Sequence, residues 1–486
     1  MGLKQKALAG GMWVGGSVAV AALFQVVQLA VLARILTATD LGLIAIVTLM
    51  TTFIEILVTM GISNSIVQRK DVSRDELSSL HWLNVIVGFG SGVVLFFCAP
   101  LVAWFFNDDR LVYLVQIISC VFVVTPFGQV FRGALEKKMA FKQVAVSEVA
   151  GAVAIMVAAI GFALAFGVVG VVLGTVVGYL VRTGILVVAG WSTVGLTTHF
   201  RPSETKRFLE FGIFQSLDSI VGFIGANAGS VVIGRAISTQ QLGGYNLAYN
   251  FAVNTPGRLN PIVTRVMFPA MSQIQDDKPR LAENSLKLIT VTGIASAPIL
   301  TGLVVLAPQF TEVVLGEKWL WVVPLLQVLA IVGYVRSVAN PMGVILMATN
   351  KMKLGLVINV VKTALTIVLV IVGAQLAEAV GVAVALAIMG GVTLVVNYFL
   401  MRSILDVTLK PFLAAHLTPV LLALPMAIAV GVVILALSAV GSAVLTLVVG
   451  VVVGAIVFLG GILLSKIPLL IELKGLLPAR WRPRNA

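Results

Sequence analysis

A chain of 486 residues that is 59% apolar and 11% charged, with a mean hydropathy of +1.08, is not built from soluble domains, which carry about half apolar and about a quarter charged residues. The net charge of +13 needs a location before it implies a partner. Two cysteines, Cys98 and Cys120, lie inside apolar runs, and His81, His199 and His416 are scattered, so disulfide frameworks, paired-cysteine metal sites and HExxH-type metal catalysis are all excluded.

A membrane-crossing helix needs about 20 mostly apolar residues. In chain order the qualifying segments are 10–33, 41–62, 80–105, 111–131, 144–166, 168–190, 210–234, 242–262, 284–307, 320–347, 354–376, 379–401, 412–437 and 441–465. The fold class is therefore all-α, a polytopic membrane protein of about fourteen transmembrane helices. Joints near Gly167, Glu378 and Ala439 are so short that the helices flanking them must form hairpins. The first apolar stretch is too long for a signal peptide and lacks a small-residue cleavage site, so it is expected to remain as the first span.

Lysine and arginine collect in alternate connections. Lys4 and Lys6, then Arg69 to Arg74, Arg132 to Lys142, Arg201 to Arg207, Arg265 to Lys287, Lys351 with Lys353, Arg402 with Lys410, and the tail ending ARWRPRNA lie on one side. The other side holds Arg34, Arg110, Arg235 and Lys318 among several carboxylates. The positive-inside rule places both termini in the cytosol. This distribution accounts for most of the charge, with membrane lipids rather than nucleic acid as the partner.

The stretch RILTATDLG from Arg34 returns as RAISTQQLG from Arg235, with Arg34 on Arg235, Thr37 on Ser238, Leu41 on Leu242 and Gly42 on Gly243, each 201 residues apart. An even number of spans separates the copies, so they point the same way. This predicts two parallel six-helix lobes, residues 1–200 and 201–405, then two additional helices in 406–466 and a basic cytosolic tail in 467–486. Paired bundles of this kind enclose a cavity and rock about it, which is alternating access.

Beyond the second copy come VMFPAMSQIQDD from Val266, GEKWLWVVPLLQVLA from Gly316 and PMGVILMATNKMK from Pro341, and LGGYNLAYN starts at Leu242. With RILTATDLG, these stretches resemble the polysaccharide transporter family of the multidrug, oligosaccharidyl-lipid and polysaccharide flippase superfamily. The likeness runs over essentially the whole chain and is strongest to O-antigen and colanic-acid-type lipid-linked oligosaccharide flippases. The resemblance implies a flippase of the bacterial inner membrane that carries an undecaprenyl-pyrophosphate-linked oligosaccharide from the inner to the outer leaflet. It implies no covalent chemistry, no catalytic residue and no cofactor, and contact with polysaccharide assembly proteins.

Charged and amide side chains within spans are costly in hydrocarbon, so each is a candidate for lining the cavity. Arg336 and Lys362 lie in consecutive spans at similar distances from Lys351 and Lys353; Asn340 is four residues from Arg336, and Asn359 shares a helical face with Lys362, Thr363 and Thr366. Asn246, Asn250 and Asn254 step by four along the eighth span beside Tyr249, with Arg258 beyond Pro256. Arg182 is the basic residue of the sixth span, and Glu55 and Asp218 are the carboxylates deepest within spans, with Glu148 nearer a cytosolic end. Hydrogen bonding between helices is the ordinary alternative for all of these. Glu55 and Asp218 are the candidates for coupling to a proton or sodium ion. Arg182, Arg336, Lys362 and Arg258 outnumber the carboxylates, which favours an anionic lipid-linked glycan as cargo.

A cation-coupled multidrug exporter of the same superfamily is the nearest rival. A membrane glycosyltransferase or polysaccharide polymerase is a more distant one, since the chain offers neither a soluble nucleotide-sugar domain nor a large outer loop, and it has no GxxxxGK[ST] phosphate loop.

Overall fold

A computed structural model of the chain describes residues 3–59, 66, 71–254, 257 and 271–465, without the side chains of 3–12, 57–59, 207, 209–218 and 440. Among the described residues there is no strand. The helices are α1 (Leu3–Ile35), α2 (Ala38–Thr59), α3 (Arg74–Phe106), α4 (Leu111–Val124), α5 (Pro126–Lys137), α6 (Phe141–Phe166), α7 (Val168–Val194) and α8 (Pro202–Ala236). Then come α9 (Thr239–Tyr249), which passes into a π-helical turn at Asn250–Asn254, α10 (Lys278–Val305), α11 (Val323–Ala339), α12 (Pro341–Ala348), α13 (Met352–Leu405), α14 (Leu409–Leu437) and α15 (Ala443–Leu464).

Eleven helical stretches among the described residues are long and apolar enough to cross a membrane, and α4 with α5, bent by 42°, makes a twelfth. The chain is a multi-pass membrane protein. Within α13 the backbone leaves helical geometry at Ala377 and at Glu378, whose φ is +50°, and Gly373 and Gly381 face each other's backbone carbonyls without room for a side chain. The single 54-residue helix is thus a hairpin of two spans. The expected eighth span runs out of the described residues after Asn254. These observations are consistent with fourteen spans.

Two boundaries differ from the hydropathy reading. Helix α3 starts at Arg74 rather than near 80, because Ser73 accepts from the Glu76 N–H while the Glu76 carboxylate accepts from the Ser73 N–H, a reciprocal cap strong enough to carry the helix beyond its apolar part. The expected span 111–131 is bent at Thr125–Pro126, where the proline opens a new helix, so residues up to Lys137 that read as a connection are helical.

By Cα proximity the chain forms two compact units, Met1–Asn250 with Leu356–Leu386, and Phe251–Gly355 with Ala387–Ala486. In the first unit α6 and α7 turn at Gly167, whose φ is +56°. They then zip together through Gly170, Gly174 and Gly178, each of whose absent side chain would strike α6. Small residues at every fourth position let membrane helices approach this closely. The starts of α2 and α9 carry matching caps: the Asp40 N–H donates to Thr37 Oγ1 at 3.2 Å and the Gln241 N–H to Ser238 Oγ at 3.1 Å.

The segment after α7 is strapped to the start of α3. Trp82 Nε1 donates to the Thr197 carbonyl at 3.0 Å, the Thr197 N–H to Ser78 Oγ at 3.0 Å and the Arg201 N–H to Ser79 Oγ at 3.1 Å. Ser79 Oγ donates in turn to Glu204 at 2.8 Å, which also lies 3.1 Å from His199 Nε2. In the second unit α10 packs on α11 and α14, and α14 on α15. Its core gathers Leu288, Ile289, Val338, Ile345, Met401 and Phe412.

A candidate cargo and coupling site

Four helices of the first unit bring charged side chains together within the membrane-spanning part. Glu148 of α6 accepts from Arg182 Nη2 at 2.7 Å and from Arg132 Nη1 at 3.0 Å through the same oxygen, and Arg132 also donates to Glu136 at 3.0 Å. The geometry has a local cause. Gly151 stands one turn after Glu148, and the Arg182 stem crosses α6 in the space it leaves. A larger residue there would lift the guanidinium away from Glu148.

Glu55 on α2 is half-buried in the field of Arg182, Glu148 and Arg132, and Tyr179 lies one turn before Arg182 in the same environment. Above Glu55 the hydroxyls of Thr48 and Thr52 donate to the carbonyls of Ile44 and Thr48, at 2.7 and 2.8 Å, and so satisfy themselves within the helix. The polar stripe on α2 therefore concentrates its chemistry in Glu55. Two arginines face three carboxylates, so the cluster is one positive charge short when all five groups are ionised.

Sequence reasoning found Arg182, Glu55 and Glu148 but left Arg132 and Glu136 in a cytosolic connection. The signal was present in the four-residue spacing of Arg132 and Glu136 after Pro126, a short amphipathic helix. They add one cation and one carboxylate, and within this cluster carboxylates outnumber arginines. Among the described residues no group of three or more histidine, cysteine or acidic residues is arranged to hold a metal ion.

The remaining candidates are divided between the two units. Arg336 is half-buried on α11 in the second unit, and Lys362 half-buried on α13 in the first. Asn340 ends α11, and Asn359 is exposed. Thr363 donates to the Val221 carbonyl at 3.4 Å beside Gly225, and Thr366 to the Lys362 carbonyl at 2.7 Å. Asn246 and Asn250 donate to carbonyls one turn back, and the helix widens to a π turn at Asn250–Asn254 before Pro256. Such widening is frequent at functional sites. Tyr249 is buried against Tyr245, with ring centroids 5.6 Å apart, and its hydroxyl donates to the Ala226 carbonyl at 3.4 Å, which directs it into helix packing. Arg258, the side chain of Asp218 and the basic tail lie outside the described residues.

A family model described as "Polysaccharide biosynthesis protein" matches residues 31–324. The lipopolysaccharide biosynthesis protein WzxC of Escherichia coli (strain K12) is 35% identical over 427 residues, 87% of each chain. The teichuronic acid biosynthesis protein TuaB of Bacillus subtilis (strain 168) is 30% identical over 447 residues, 89% of each. Among solved structures, the lipid II flippase MurJ in an inward closed conformation superposes with a TM-score of 0.74 at 15% identity, over 93% of this chain and 98% of that one. An inward-facing multidrug resistance transporter of the MATE family and MOP superfamily superposes at 0.66 and 15% identity, over 79% and 94%. The helix bundle is thus the fold these transporters share. By the family match and by identity over most of its length, the chain belongs to the polysaccharide biosynthesis protein family.

Proposed function

We propose that the protein is a secondary transporter, not an enzyme, that flips an undecaprenyl-pyrophosphate-linked oligosaccharide or related polysaccharide precursor from the inner to the outer leaflet of the bacterial inner membrane by alternating access. The observation that carries this reading is the near full-length relationship to proteins named for polysaccharide assembly, on a fold shared with a lipid II flippase. Both termini lie in the cytosol, two six-helix lobes span residues 1–200 and 201–405, residues 406–466 add two helices, and 467–486 form a basic tail on anionic lipid. Lys362, Asn246 and Asn250 in the first unit, and Arg336 and Asn254 in the second, are the polar groups that each unit offers to the glycan and its pyrophosphate. Polysaccharide assembly proteins supply and receive the cargo.

Glu55 takes the coupling ion. A proton or sodium ion there restores the charge that the cluster of three carboxylates and two arginines lacks. Asp218 is the second candidate.

A deletion strain tests the function: complete lipid-linked units are expected to accumulate in the inner leaflet and to be exported again on complementation. Normal surface glycan in the deletion strain would refute it. A cation-coupled multidrug exporter is the second reading, favoured by the carboxylate majority of the cluster and by the MATE-type fold. Protection of cells from ethidium without any effect on surface glycan would establish it instead.

A further inference from the structure

Helices α1 and α6 pack side by side in the first unit and leave a groove of about 690 Å³ between them, lined by Trp13, Gly16 and Val20 from α1 and Ala145, Val146 and Val149 from α6. Gly16, Ser17, Ala145 and Ala150 are the small residues of its lining. A side chain at Gly16 would meet nothing within 4 Å. Ser17, a polar residue in the lining, donates its hydroxyl to the Val14 carbonyl at 2.9 Å and presents little polarity to an occupant. Trp13 and Val20 are seven residues apart, so the slot extends about 10 Å along the helices.

One end of the groove is charged. Lys142, in the first turn of α6, places its Nζ 5.7 Å from the centre of the Trp13 ring, and both side chains are exposed. Exposed Lys138 precedes it in the same connection. The nearby carboxylates are occupied elsewhere, Glu136 with Arg132 and Glu148 with Arg132 and Arg182. An apolar slot of this volume, ending at a lysine next to an indole, matches a hydrocarbon tail with an anionic head at the membrane surface.

We propose that the α1–α6 groove binds the isoprenoid chain of a polyprenyl phosphate, with the phosphate at Lys142 and the methyl branches over Gly16 and Ala145. The assignment rests on the flippase reading for its choice of lipid, and it gives the cargo's tail a docking place outside the charge cluster.

Photolabelling tests it with a benzophenone-bearing farnesyl phosphate and the full-length protein in phosphatidylcholine nanodiscs. Label is expected on residues 13–20 and 145–150, displaced by undecaprenyl phosphate and not by phosphatidylglycerol. Gly16→Leu fills the slot and strengthens the helix, so folding persists, and labelling is expected to fall about tenfold. Lys142→Gln is expected to weaken capture of the phosphate probe and to leave capture of the corresponding farnesol probe unchanged. Labelling that survives Gly16→Leu, or that phosphatidylglycerol displaces equally well, overturns the proposal. Groove labelling in a protein that fails to restore glycan export would sink the flippase reading alone, whereas restored export with an unlabelled groove would sink this one alone.

Discussion

Gly42 and Gly243 hold equivalent places in the two copies of the repeat, and each packs against the other copy's helix start. A side chain at Gly42 would strike the Thr239 carbonyl, and one at Gly243 would strike the Ala38 carbonyl. Ala38 and Thr239 are themselves equivalent positions, so the contact is self-complementary, like a two-fold interface between subunits. The similarity of RILTATDLG and RAISTQQLG thus has a physical basis: two equivalent helix starts, each capped by a hydroxyl, whose glycines allow backbone to touch backbone.

Gly42→Ala and Gly243→Ala should each destabilise the fold, because the obstructing atom is a carbonyl that no rotamer change moves. Overpacking costs about 1–3 kcal/mol, against a helix-propensity gain of about 1 kcal/mol for replacing glycine by alanine. Gly16→Ala, in open space, should show only the gain. Thermal unfolding in detergent should therefore fall for the first two variants and hold or rise for the third. Equal behaviour of all three would remove the contact from the account.

Glu148→Gln takes the carboxylate from Arg182 and leaves Arg132 with Glu136 alone. Breaking one partner of a fully buried pair costs about 3–5 kcal/mol. Here Arg182, Glu148 and Arg132 keep 20%, 30% and 28% of their side-chain surface exposed, and solvent screening reduces the expected loss to about 1–3 kcal/mol. A double-mutant cycle with Arg182→Gln should return a coupling above about 0.5 kcal/mol. Additive losses would show that the bridge is incidental.

Glu55→Gln separates coupling from folding. It removes the carboxylate that leaves the cluster with a net negative charge, so stability should hold. Export driven by an ion gradient should drop roughly tenfold, with its dependence on pH or sodium flattened. The measurement is lipid-linked glycan export in cells across a pH series and with sodium exchanged for potassium. An unchanged ion dependence at full export would take Glu55 out of the coupling role.

The strap that ties residues 197–204 to α3 should open in acid. Hydrogen bonds from His199 first and Ser79 second hold the Glu204 carboxyl below its ordinary range. A carboxylate lowered in the folded state contributes stability that is complete above its ordinary pKa and disappears as pH falls through the lowered one. Protection of the Thr197 and Arg201 amides from hydrogen exchange, taken relative to the intrinsic rate at each pH, should be high at neutral pH and fall as pH drops below the usual carboxylate range. Glu204→Gln should make that protection low and independent of pH over that interval. A slow, acid-resistant strap in the variant would contradict this.

Much of the architecture could be read from the chain because it depends on short-range free energies. Hydrocarbon demands long apolar helices with satisfied backbones, so runs such as 168–190 and 441–465 announce themselves, and the joints at Gly167 and Glu378 appear where apolar runs meet with no linker between them. The caps at Thr37 and Ser238 are likewise local chemistry, visible in the repeated motif. Arg132 was misread for the complementary reason. Hydropathy scores it as a cytosolic cation, whereas the bend at Pro126 turns it toward a glutamate on one helix and the field of a second arginine on another.

The sequence by itself determined that the chain crosses the membrane many times, that a stretch at Arg34 returns at Arg235, and which family it resembles, since each follows from composition, period or motif within a few turns of helix. Tertiary structure alone decided which charges meet, that Glu148 serves two arginines, that Gly42 and Gly243 cross-pack, and that α1 and α6 part to leave a slot. These depend on contacts between residues far apart in the chain, where a difference of one methyl group decides whether two helices touch, and no local pattern encodes that.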